Sequence, residues 1–253
     1  MNRALPLLLL AACSKEPRLV GQVVDIWGEP IEGATVVLDQ LSERPLTDRN
    51  GSFDLPALPG AHKIKAGREG YIQEHQELEV IPGEPPPKVL FQLYPKPEEA
   101  GFYAVGDDRY LRLDPEPVYQ LGGELESVRG IKTLGTAELQ GTSLRVVFHT
   151  PLKTDQVMRL GLELHHLEHV ASMNMIGPFG PTPVDVNLYR SGQIVETKIE
   201  PMRSRTDYLI TSTTPLEPGG FAFDTQELLT AGDLEAFKEI PEPLRVAYPI
   251  DIR

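Results

Sequence analysis

The sequence predicts an all-β protein: a β-sandwich followed by a second β-rich domain with at most a short helix. Three observations carry that expectation. The 253 residues include 24 prolines and 22 glycines, which punctuate a chain into turns and short strands. Apolar and polar residues alternate over short runs, the period of half-buried strands. The length admits one large or two medium domains, at roughly 100–150 residues each. A 40% hydrophobic fraction is enough to pack a core.

Charge and cysteine content narrow the function. The formal net charge is −13, which argues against nucleic acid as the main partner, because phosphate binding needs clustered Lys and Arg. A single cysteine excludes an internal disulfide framework and a Cys-rich zinc site.

The N-terminus reads as an address. Arg3 is a positive n-region, and Ala4–Ala12 is an apolar stretch too short to span a bilayer, which takes about 20 residues. This is the shape of a secretory signal peptide. Leu10-Ala11-Ala12-Cys13 resembles the lipobox of bacterial lipoproteins: an aliphatic residue, two small residues, then cysteine. The resemblance implies a signal peptide over residues 1–12, lipidation of Cys13 (thiol diacylated, new amine acylated, palmitate among the acyl groups) and an anchor linker over 13–17. The plainer alternative is an ordinary secretory signal with a chance cysteine, but the chain's one cysteine sits where a lipobox needs it. Two or more acyl chains anchor stably, at about 0.8 kcal/mol per buried CH₂. Ser14, rather than aspartate, after the cysteine resembles the sorting signal for the outer membrane of Gram-negative envelopes.

Residues 18–94 follow the period-two pattern. Leu19–Ile26, Ala34–Leu38, His62–Ala66, Leu78–Ile81 and Val89–Leu93 read as strands, with turns at Gly28–Gly33 and Thr47–Phe53. Gly51 after Asn50 supplies the positive φ of a tight turn. About seven short strands at this spacing suggest an antiparallel, Ig-like sandwich. Gly21-Gln22-Val23-Val24-Asp25, Gly28-Glu29-Pro30-Ile31-Glu32-Gly33-Ala34-Thr35-Val36 and Thr47-Asp48-Arg49-Asn50-Gly51-Ser52-Phe53 resemble the carboxypeptidase regulatory-like domain. Leu58-Pro59-Gly60 and Glu69-Gly70-Tyr71 follow in the expected order. The resemblance implies a transthyretin-like sandwich used as an accessory module, with no catalytic residues to carry over. Asp48, Asn50 and Asp54 look like part of a calcium loop, but an EF-hand loop needs a bidentate Glu at its twelfth position, which here is Pro59. The Asp and Asn side chains are expected to bond local backbone instead.

Pro95–Ala100 reads as a Pro-rich linker, so the second domain spans residues 101–253. A hairpin is expected around Gly106-Asp107-Asp108, and strands at Leu144–Phe148, Tyr208–Thr211 and Arg245–Tyr248. Val184–Tyr189 and Ile194–Ile199 are expected to form a second hairpin around Arg190–Gln193. Asp224-Thr225-Gln226-Glu227 can form a capping box for a short helix, which Leu234–Phe237 extends. Met173–Pro181 is apolar and turn-rich. It reads either as a loop packed on the domain or as an exposed contact patch, since Met and Phe suit adaptable interfaces.

The sharpest chemical signal is His165-His166-Leu167-Glu168-His169, an H-x-x-E-H spacing like that of inverzincin peptidases. On a helix capped by Asp155, with Val157, Leu160, Leu164, Leu167 and Ala171 as its apolar stripe, His165 and His169 share a face and Glu168 can activate a zinc-bound water. Glu239 and Glu242 are the candidates for a third ligand. Against this, Leu160, Leu162 and Leu164 also alternate as in a strand. The two histidines are then about 13 Å apart. No G-x-S-x-G elbow, phosphate-binding glycine loop or C-x-x-C occurs.

The expectation is a non-enzymatic, membrane-anchored envelope lipoprotein that binds or scaffolds an envelope protein or glycan partner, with no catalytic residues, no metal ligands and no cofactor. The competing expectation is a zinc-dependent hydrolase built on His165, Glu168 and His169. Whether residues 156–170 form a helix separates the two.

Overall fold

The computed structural model describes residues 17–39, 41–122, 127–177, 180–225, 228–230 and 234–253. Cys13 and the signal segment lie outside the described residues, as do Gln226 and Glu227 of the expected capping box. The chain divides into two compact units, Met1–Lys96 and Pro97–Arg253. Among the described residues no helix is long and apolar enough to cross a membrane.

The first unit contains strands β1 (Arg18–Asp25), β2 (Thr35–Leu38), β3 (Ser52–Pro56), β4 (Gly60–Gly67), β5 (Glu74–Val80) and β6 (Val89–Leu93). They form two three-stranded sheets, β3-β1-β6 and β2-β4-β5. β1 runs antiparallel to β3 and parallel to β6. Alternate residues of both sheets, among them Leu19, Val23, Val36, Leu55, Ile64 and Phe91, close one core, which is the face-to-face sandwich the alternation predicts. Two turns hold it. Asp48 Oδ1 accepts the Asn50 and Ser52 N–H groups at 2.9 and 2.8 Å, while Gly51 takes φ +70°. Buried Thr47 donates its hydroxyl to the Ile31 carbonyl at 2.6 Å and accepts the Ala34 N–H at 2.8 Å, so two strand-flanking segments share one side chain. Asp54 pairs with Arg18. Pro95 bridges to Tyr71, and the Lys96 N–H bonds the Gly70 carbonyl at 2.8 Å.

The second unit contains β7 (Gly101–Val105), β8 (Tyr110–Leu113), β9 (Glu116–Pro117), β10 (Tyr119–Gly122), β11 (Ser127–Gly130), β12 (Glu138–Leu139), β13 (Arg145–His149), β14 (Glu163–Gly177), β15 (Gly180–Val195), β16 (Thr197–Pro201), β17 (Asp207–Ser212), β18 (Gly219–Asp224) and β19 (Val246–Ile252). Its short helices are α1 (Thr154–Met158) and α2 (Leu234–Glu239). One sheet runs β16-β17-β13-β7-β8 and another β12-β19-β18-β14-β15. Phe102, Val146, Phe148 and Ile210 of the first meet Leu164, Phe221, Phe223 and Ile250 of the second in a common core. Phe102 stacks between Phe148 and Phe223, at centroid distances of 4.3 and 5.4 Å. The outer face of the second sheet carries a smaller cluster that includes Ile131, Leu167, Ala222, Leu229 and Phe237.

Two expectations are corrected and one open alternative is decided. Residues 156–170 are not one helix but follow the strand alternative from Glu163: α1 ends at Met158, and Gly161 takes φ +57°. Burial on both faces of a central strand outweighs the helical spacing of the leucines. Arg190–Gln193 is not a hairpin turn but part of β15. The register slips there, with His166 opposite Gln193 and Leu167 opposite Ser191. A side chain on the skipped Gly192 would meet Glu168 Cγ at 2.6 Å, so the glycine serves a bulge rather than a turn. Finally, residues 173–177 and 180–181 are strand, paired from Met173 with Val184 to Gly177 with Gly180.

Candidate functional site

The strand assignment separates the residues of the H-x-x-E-H spacing. Leu164 joins the sandwich core and His166 lies over the Phe221 ring at 5.0 Å. His165 turns to the outer face, as alternation requires. Glu168 pairs with Arg190 at 3.0 Å and His169 rests on the Tyr189 ring at 5.0 Å. Both are exposed. His165, Glu168 and His169 therefore do not converge, and the hydrolase built on them is excluded by the geometry.

His165 instead gathers a different set. β14 and β18 pair antiparallel with Glu163 opposite Asp224 and His165 opposite Ala222. Glu163 and His165 are two apart on one strand and share its outer face, where Asp224 joins them from β18. His165 and Asp224 are fully buried. His165 Nε2 lies 3.1 Å from Asp224 Oδ1 and 3.4 Å from Glu163 Oε2. His165 Nδ1 lies 2.8 Å from Ser191 Oγ on β15. The second oxygen of Asp224 accepts the Leu229 N–H at 2.6 Å, tying the segment after β18 to the sheet. Glu163 Oε2 is buried and has no hydrogen-bond partner, although its side chain is 32% exposed overall.

The chemistry follows from where the ring protons sit. With a proton on Nε2, His165 donates to Asp224 and accepts the Ser191 hydroxyl at Nδ1. With the proton on Nδ1, it donates to Ser191, and a bare Nε2 lone pair then faces two carboxylate oxygens. In that second state a cation or a carboxyl proton between the three atoms would relieve the repulsion.

Ser191 borders a hollow of about 230 Å³ with Arg129, Arg190 and Thr230. Both arginines are engaged: Arg190 with Glu168, and Arg129 with Gln120 Oε1 at 2.9 Å, the Thr230 carbonyl at 3.2 Å and the Phe237 ring at 4.7 Å. A second histidine–aspartate pair links β13 to β17: His149 Nδ1 bonds Asp207 Oδ1 at 2.7 Å. The other Asp207 oxygen accepts the Ser204 and Thr206 hydroxyls, so this carboxylate is spent on a local turn.

The other sequence feature to find a place is the Met-rich stretch. β14 pairs with β18 only over Glu163–His166, whereas its pairing with β15 continues to Gly177. The base of this two-stranded ribbon is covered: Val128 of β11 packs with Val186 and Leu188, and Tyr119, Leu121, Val170 and Met173 pack around them. Beyond that base Ile176 is 61% exposed, and on the opposing strand Val184 is 39% exposed. Residues 170–184 contain no Asp, Glu, Lys, Arg or His.

Sequence reasoning singled out His165 but missed Glu163, Ser191 and Asp224. The signal for Glu163 was its period-two spacing from His165. Ser191 was assigned to a turn and Asp224 to a helix cap. Strand pairing, which a linear pattern does not display, brings both to His165.

No curated protein matches the chain. Residues 18–94, which form the sandwich of β1–β6, match the family described as the carboxypeptidase regulatory-like domain.

Proposed function

We propose that this protein is a non-enzymatic envelope lipoprotein: Cys13 carries the acyl anchor, and the two β units present a binding surface at the outer membrane. The observation that carries the binding role is the uncharged ribbon. Fifteen consecutive residues, 170–184, carry no ionisable side chain in a chain that is 24% charged, and Ile176 near its far end and Val184 opposite Met173 are exposed. Exposed apolar side chains on a projecting β-ribbon fit docking to an apolar groove on a partner protein, where Met and Ile adapt their shape to the contact. The edge of β14 beyond His166 has no neighbouring strand among the described residues, which also suits addition of a partner strand.

The anchor is tested by replacing Cys13 with Ser. The wild-type protein incorporates labelled palmitate and fractionates with membranes, and the variant does neither. A variant that stays in the membrane fraction contradicts the anchor. The ribbon is tested with Met175→Glu/Ile176→Glu. It keeps its membrane fractionation but loses co-purification with its envelope partner.

A further inference from the structure

We propose that Glu163 Oε2, His165 Nε2 and Asp224 Oδ1 form a binding site for one divalent zinc-type cation, with Ser191 and the Leu229 N–H orienting the ligands. Four observations on the outer face of the β12-β19-β18-β14-β15 sheet support it.

The spacing fits. Metal bonds of about 2.0–2.1 Å in a tetrahedron set ligand atoms roughly 3.3–3.5 Å apart. Here Nε2 lies 3.1 Å from Asp224 Oδ1 and 3.4 Å from Glu163 Oε2, and each of the three residues offers one ligand atom within 4.8 Å of the other two. Local charge fits as well. Two carboxylates meet one imidazole where His165 and Asp224 are wholly buried. A protonated ring leaves one negative charge uncompensated. A divalent cation with a neutral ring leaves none.

Glu163 Oε2 supplies the third observation: it is buried, aimed at His165 Nε2, and without a hydrogen-bond partner. A histidine–aspartate pair has no use for this oxygen, whereas a metal does. The fourth is the support around the ligands. A metal-bound histidine donates its other ring N–H to a nearby acceptor, and a ligating carboxylate is itself hydrogen-bonded. Ser191 Oγ lies 2.8 Å from Nδ1, and the free oxygen of Asp224 accepts Leu229 N–H at 2.6 Å. The partly exposed Glu163 gives the ion a way in from solvent.

One nitrogen and two oxygens leave the fourth position open and suit Zn²⁺. The ion would clamp β14 to β18 and, through Asp224, hold the segment that leads to α2.

The test is calorimetric titration of the metal-stripped full chain with Zn²⁺, followed by Co²⁺ absorption spectroscopy. One Zn²⁺ binds per chain, and Co²⁺ gives the visible bands of a four-coordinate site. Glu163→Gln weakens binding at least about tenfold while the metal-free protein melts as wild type does, because that oxygen makes no hydrogen bond to lose. Ser191→Ala weakens binding by about 10–100-fold. His169→Ala, on the exposed side of the ribbon, leaves binding unchanged. Two results overturn the site: no stoichiometric Zn²⁺ uptake by folded wild-type protein, or uptake that survives Glu163→Gln and is lost in His169→Ala.

Discussion

Single side chains set the local geometry of both units. Thr47 satisfies an N–H and a carbonyl from residues 34 and 31 inside the first sandwich. Thr47→Val keeps the shape but strands the Ala34 N–H, and about 1–3 kcal/mol of stability should be lost. Urea unfolding measures this, and a change below about 0.5 kcal/mol contradicts it. Gly51 sits at φ +70°, and a methyl there would stand 2.3 Å from the Val23 carbonyl oxygen. Gly51→Ala should therefore cost more than the roughly 1 kcal/mol of a left-handed alanine alone. In the second unit, burial raises the Tyr248 phenol above the ordinary tyrosine range. The folded state holds that proton more tightly than the unfolded chain, so the associated stability is present below the unfolded tyrosine pKa and is lost as pH rises through the folded one. Wild type should lose more melting temperature than Tyr248→Phe between pH 9 and pH 11. Equal losses would show that another group dominates.

At the scale of elements, local patterns were legible and pairings were not. The Asp48–Asn50–Gly51 turn, the hairpin around Gly106–Asp108 and most strands of the first unit stood in the sequence as alternation and turn residues. The start of β14 was ambiguous, because Leu160, Leu162 and Leu164 alternate as in a strand while Leu160, Leu164 and Leu167 also fit a helical stripe. Gly192 looked like a turn residue because a bulge glycine and a turn glycine have the same local signature. The site was half legible for the same reason. His165 stood out, but Asp224 lies 59 residues away, and only the pairing of β14 with β18 joins them. The ribbon gives an element-scale prediction. Ile176→Glu places a charge on an exposed surface that the fold does not use, so stability should stay within about 0.5 kcal/mol of wild type. A larger loss would mean that the tip is packed.

Among the described residues the largest hydrophobic core of the first unit lies around Phe91 and that of the second around Phe223. Each is large enough to order its own unit, so Phe91→Ala should reduce amide protection across residues 18–94, and Phe223→Ala should do so within residues 101–253. Each cavity costs about 3–5 kcal/mol. The proposed role rests on the uncharged ribbon, which sits in a chain of net charge −13. The most direct test is in-cell crosslinking, with a photoreactive residue at Ile176 or, as control, at exposed Glu200 on β16. A discrete adduct with one envelope protein from position 176, absent from position 200 and lost when Met175 is changed to Glu, is the expected result. No adduct from position 176, or the same adducts from both positions, would contradict a binding role for the ribbon.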